Sequence, residues 1–193
     1  MPANLTLTKK EVGERQLNAA VRLFFQREDP VSIHTLVSAA HEILEVLTRG
    51  ARDFEILFES SLIKPEKKKE FIGLFTKAQN FFKHASSDAS KTIEFAPFQT
   101  EVMLFDCVRM YMHLTGQKTP EVHVYNVWFI MSYPEYFNYL RDPNDPLFKM
   151  YVSVRGAGLN PKNLKRFSDV IPLLRQSGGF PIALPKGHKA RPA

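Results

Sequence analysis

Between Pro97 and Gly116 the chain carries Val102, Met103, Leu104, Phe105, Val108, Met110, Tyr111, Met112 and Leu114. Wound as an α-helix, this stretch has almost no polar face. A helix that is apolar on nearly all sides must be covered on nearly all sides. The segment therefore predicts an all-α bundle with itself at the centre. The flanking sequence supplies the cover. Val12, Leu17, Val21 and Phe24 recur at helical spacing behind Thr8-Lys9-Lys10-Glu11, a capping box in which hydroxyl and carboxylate satisfy the first free N–H groups. Asp29-Pro30 caps and opens a second helix whose apolar face is Ile33, Leu36, Val37, Ala40, Ile43, Leu44 and Leu47, and Gly50 ends it.

Further helices are expected over 51–63 (Phe54, Leu57, Phe58, Leu62) and from Pro65 to Ala85 (Phe71, Leu74, Phe75, Ala78, Phe82), followed by a loop at Ser86-Ser87-Asp88 and a short extended piece at Thr92–Phe95. Pro120–Tyr133 reads as helix, although the β-branched Val122, Val124 and Val127 also suit a strand. Pro134 and the run Asp142-Pro143-Asn144-Asp145-Pro146 mark turns, and Asn160-Pro161 starts a last helix through about Arg175. Beyond Ser177, glycines and prolines break any helix while Lys186, Lys189 and Arg191 face no acid. The expected organisation is one bundle of six or seven helices over 1–176, with a flexible basic tail over 177–193.

A chain of 193 residues with 44% hydrophobic and 24% charged residues buries roughly 70% of its unfolded surface and folds without a metal or cross-link. Its single cysteine, Cys107, excludes an internal disulfide and a cysteine-based zinc site. No apolar run reaches the ~18–20 residues of a membrane span, and Met1–Glu11 has no signal-peptide core, so a reduced, cytoplasmic protein is expected. Phosphate-cradling glycine loops, a Gly-x-Gly-x-x-Gly fingerprint, His-Glu-x-x-His and Gly-x-Ser-x-Gly are all absent from the sequence, which argues against P-loop, Rossmann, zincin and α/β-hydrolase chemistry. No cofactor is implied.

The polar residues within apolar faces are the candidate sites. His34 and His41 lie within about 20° of one another around the second helix but about 10 Å apart along it, too far to share a metal. His41 and Glu45 are close enough, but no third ligand is nominated, so no metal site is expected. The histidines read instead as half-buried groups bonded to a neighbouring helix. Asp106 and Arg109, three residues apart on the central helix, read as a structural ion pair, and Cys107 as a packing residue.

Gln79-Asn80-Phe81-Phe82-Lys83-His84 gathers an amide, an ammonium and an imidazole on one edge at the C-terminal end of a helix, where the dipole favours a protonated imidazole. Such a group can contact phosphate and move a proton. The pattern resembles the motif of HEPN-superfamily nucleases, small helical bundles of toxin–antitoxin and defence systems, in which Arg, a polar residue (often Asn), three variable residues and His follow one another on a helix. Asn80 and His84 match; Gln79 stands where the family has Arg. The resemblance implies a metal-free ribonuclease with His84 as general base and Asn80 and Lys83 beside it, or, without the arginine, a non-catalytic relative that binds RNA or a protein partner. A homodimer is a separate expectation for this chain. The net charge of +6 and the cations Lys67, Lys68, Lys69 and Lys77 suit a nucleic-acid partner. The other reading is a binding bundle that uses an exposed aromatic patch: Trp128, Phe129, Tyr133, Tyr136, Phe137 and Tyr139.

Overall fold

A computed structural model describes residues 4–49, 54–57, 77–83, 90–137, 142–156 and 158–176. Most of the expected helices over 51–63 and 65–85, Lys67, Lys68, Lys69, His84 and the tail 177–193 lie outside these residues. The described part is all-α, with no strand among the described residues. It contains α1 (Lys9–Gln26), α2 (Pro30–Thr48), α3 (Phe98–Thr115), α4 (Pro120–Ser132), a 3-10 turn (Pro134–Tyr136), α5 (Pro146–Gly156) and α6 (Leu164–Gln176). The segment 77–83 is also helical.

The capping chemistry sets the boundaries. The Thr8 hydroxyl accepts from Glu11 N–H while the Glu11 carboxylate accepts from Thr8 N–H. Asp29 accepts from Ser32 N–H ahead of Pro30, and Thr119 from Val122 N–H ahead of Pro120. Gly116, at φ +64, ends α3 in the left-handed conformation that glycine adopts at little cost.

Side-chain pairs give the helix directions. His34, Ser38 and His41 of α2 meet Thr100, Met103 and Asp106 of α3 in the same order, so α2 and α3 run in parallel. Glu14 meets Tyr111 and Asn18 meets Thr119, so α1 opposes α3 and accompanies α4. Parallel α2 and α3 require the chain to return along α2, about 28 Å, before α3 begins. The excursion 49–97 makes that return.

The central position expected for α3 holds. Val102, Met103, Leu104, Cys107, Val108 and Met110 have no solvent exposure. Phe105 stacks on Phe129 of α4 with centroids 4.2 Å apart, and Phe25 of α1 stacks on Phe167 of α6 at 5.9 Å. Pro120–Tyr133 is a helix, not a strand, because nearly every side chain in it is buried among helices. Thr92–Phe95 is irregular coil.

Two features differ from the sequence reading. The expected turn is present at 143–145, and residues 146–156, to which the sequence reading assigns no element beyond Pro146, form a helix: Pro146 takes the first helical position, and Met150, Tyr151 and Val154 pack against the core. Among the described residues no ring of the aromatic cluster is fully exposed. Trp128, Phe129 and Phe137 are buried, Tyr133 and Tyr136 are half-buried against Phe98, and Tyr139 lies outside the described residues. Trp128 and Phe129 lie on α4, which is covered on nearly all sides, so both rings are buried.

Candidate functional site

The helical segment 77–83 has an inner and an outer face. Ala78 has no solvent exposure and Phe82 packs inward, touching His34 edge-on at 5.4 Å and Phe95 at 5.1 Å. At 100° per residue, Lys77, Asn80 and Lys83 fall within a sector of about 120° on the opposite side. All three are exposed. The Lys83 ammonium reaches the Glu42 carboxylate of α2 at 3.3 Å. Of the expected nuclease-like group, the structure thus brings Asn80 and Lys83 together with Lys77 on one solvent face, and His84 lies outside the described residues.

Two buried polar anchors hold residues 54–57, the 77–83 segment and Phe95 to the bundle. The first is His34, which has no solvent exposure. Its Nδ1 lies 3.1 Å from the Thr100 hydroxyl, and its ring sits edge-on to Phe82 and Phe95. Its Nε2 has no hydrogen-bond partner among the described residues. Burial disfavours the charged ring and pushes its pKa down to about 4. His34 is therefore a neutral hinge pin between α2, α3, the 77–83 segment and the coil before α3.

The second anchor is Asp106, which has no solvent exposure. One of its oxygens takes a bond from Leu57 N–H (2.9 Å) and an Arg109 contact (3.3 Å); the other lies 3.0 Å from His41 Nε2. Arg109 continues to the Glu55 carbonyl at 3.0 Å and lies over the Phe54 ring. His41 Nδ1 stands 3.8 Å from Glu45, which also binds Arg49. The expected Asp106–Arg109 pair and the expected helix-to-helix bond of His41 are both present, joined in one cluster. No group of three or more His, Cys, Asp or Glu side chains placed to hold a metal occurs among the described residues.

A carboxylate that takes a backbone N–H, a guanidinium and an imidazole has little capacity left for substrate. His41 is 6% exposed, so its carboxylate–imidazole pair is closed to a macromolecule. Chemistry at this anchor is structural: it fixes residues 54–57 against α3. Cys107, its neighbour, is fully buried, and burial together with the Asp106 charge pushes its thiol pKa well above the ordinary value. That combination removes it as a nucleophile.

Sequence reasoning missed a third polar centre. Glu121, at the start of α4, is 1% exposed and is held by Arg22 of α1 at 2.7 Å and by Arg175 of α6. An acid at a helix N-terminus is an ordinary surface preference, and nothing local in the sequence marks this one as buried between two distant arginines.

Among the described residues no helix is long and apolar enough to cross a membrane. Comparison of the chain with protein-family models, with characterised proteins and with solved structures finds no match.

Proposed function

We propose that this chain is an RNA-associated helical bundle, resembling a degenerate HEPN domain, that binds the RNA backbone along the outer face of the 77–83 segment without cleaving it. The observation that carries the reading is the shared exposure of Lys77, Asn80 and Lys83 opposite a rigidly seated Ala78–Phe82 face. Two ammonium groups flanking an amide suit phosphate and ribose oxygens. Gln79 stands at the position of the family's arginine, and a neutral amide leaves the charge of a cleavage transition state unmet, so the reading is binding and not turnover. Burial of Trp128, Phe129 and Phe137 counts against the alternative of an aromatic docking patch. The setting that goes with an RNA partner is the cytoplasm.

The test is fluorescence anisotropy with a labelled single-stranded RNA over a salt series. The affinity is expected to fall steeply with salt, and Lys77→Ala and Lys83→Ala are each expected to flatten the log–log slope by about 0.7. Binding that ignores salt, or that neither lysine changes, overturns the proposal. Mass analysis of the RNA after incubation checks the second half: intact strands are expected, and cleavage lost in His84→Ala would restore the nuclease reading.

A further inference from the structure

A cleft of about 490 Å³ opens between the end of α1 and the start of α6, lined by Phe25, Gln26, Arg27, Asn163, Lys165, Ser168 and Asp169. It lies on α1 and α6, which carry none of the 77–83 segment. Phe25 is 2% exposed and forms the floor, while Arg27, Asn163, Lys165 and Asp169 are exposed on the walls. Its size falls in the range of roughly 300–1,000 Å³ typical of small-ligand sites.

The walls carry two cations with no assigned partner. Arg22, Arg49, Arg109 and Arg175 each bind a carboxylate. Arg27 and Lys165 make no ion pair with any described residue, although Asp169 lines the same cleft. Lys162 and Arg166 stand beside them in sequence and are exposed.

Arg27 also stands where its backbone resists it. It caps α1 at φ +61 and ψ +37, the left-handed conformation in which glycine is the low-cost residue, and it is the one non-glycine residue with positive φ among those described. The conformation closes the cap of α1, in which Arg27 N–H bonds the Phe24 carbonyl and Glu28 N–H the Leu23 carbonyl, and it leaves Arg27 lining the cleft.

We propose that the cleft between α1 and α6 binds the phosphate ester of a mononucleotide-sized ligand, with Arg27 and Lys165 on the phosphate and Asn163, Ser168 and Asp169 beside the sugar hydroxyls. A guanidinium and an ammonium that line one cleft from two helices suit a phosphate, and the single acid among amide and hydroxyl groups suits a neutral polyol. The ester group has two sources, a free nucleotide or the phosphorylated end of an RNA strand. The inference does not depend on RNA binding by the 77–83 segment.

The experiment is isothermal calorimetry on the full chain with three probes: uridine 5′-monophosphate, inorganic phosphate and a short 5′-phosphorylated RNA. Arg27→Gly, Lys165→Gln and the Lys77→Ala/Lys83→Ala pair are the variants. Saturable binding of the mononucleotide, weakened at least tenfold in Arg27→Gly and Lys165→Gln and unchanged in the Lys77/Lys83 variant, supports the site and names a free nucleotide. A tenfold loss for the phosphorylated RNA in Arg27→Gly and Lys165→Gln, with no binding of the mononucleotide, supports it and names the strand terminus. No binding of any probe, binding of inorganic phosphate alone, or binding that both cleft variants retain overturns it. Arg27→Gly is expected to melt no lower than the parent chain, because glycine relieves the left-handed cap, so lost binding there is not lost folding. If RNA binding fails while the mononucleotide binds, the 77–83 reading falls and this one stands.

Discussion

Replacing His34 with glutamine keeps a polar group beside the Thr100 hydroxyl and removes the only titrating atoms at this anchor. The native ring is neutral, with its pKa pushed down by burial from 6.5 to about 4. In the unfolded chain the same ring takes up a proton near its ordinary value, so between those two values the unfolded state binds more protons than the folded one. Stability from this residue is therefore complete above about pH 6.5 and is lost as pH falls toward about 4. Between about pH 7.5 and about pH 5 the linkage relation gives a loss of about 2 kcal/mol from His34. Urea unfolding of the parent and of His34→Gln at both pH values isolates that amount. His123, whose pKa burial and Lys118 push down to about 4, titrates in the same direction in both proteins and cancels from the difference. The parent is expected to lose about 2 kcal/mol more than the variant on acidification. An equal loss in the two proteins would refute the buried, neutral ring, and with it the account of how the 77–83 segment is held.

Glu121→Gln takes the carboxylate from between Arg22 and Arg175 and is expected to lower stability by about 2 kcal/mol, read by thermal melting; a change within ~0.5 kcal/mol would mean that the pairing is idle. Cys107 is expected to resist a thiol reagent in the native protein and to react fully in denaturant, and prompt native labelling would contradict its burial beside Asp106. Glu42→Gln removes the acid that holds Lys83 and is expected to tighten RNA binding about threefold at low salt, as measured by anisotropy. Weaker binding in that variant would place RNA elsewhere.

Much of the helical plan is written in local residues, because caps and periodicity are local. Thr8 with Glu11, Asp29 with Pro30, and Gly116 each act within one turn, and each ends or begins a helix where the pattern says. The all-apolar 98–115 stretch fixes α3 at the centre for the same reason: no other environment satisfies it. Residues 146–156 escape the reading because Pro143 and Pro146 look like turn punctuation, and only packing of Met150 and Val154 turns Pro146 into a helix start. The candidate site was legible in part. Lys77, Asn80 and Lys83 share a face by spacing alone, but the Glu42 partner of Lys83 comes from α2, at a sequence separation of 41 residues. The same limit hides the Arg27–Lys165 cleft, whose walls meet only when α1 and α6 pack through Phe25 and Phe167.

The polar groups inside this bundle have a common placement that explains why a chain rich in apolar residues keeps them. An apolar face tells 54–57 and 77–83 to lie on α2 and α3 but not where along them, since one buried Leu or Phe is much like the next. Directional bonds supply the register. Asp106 accepts from Leu57 N–H and fixes the start of the excursion, and His34 meets Phe82 and Phe95 and fixes its return. The two anchors lie on the same pair of helices, seven residues apart on α2 and six apart on α3, so each constrains the sliding of the other. A hydrophobic replacement at either point keeps the burial and loses the register. Asp106→Leu therefore has a different consequence from a cavity: the bundle helices stay formed, while amide exchange at Leu57 and through 77–83 rises together. Exchange that rises at Leu57 alone would show that the two ends of the excursion are held independently.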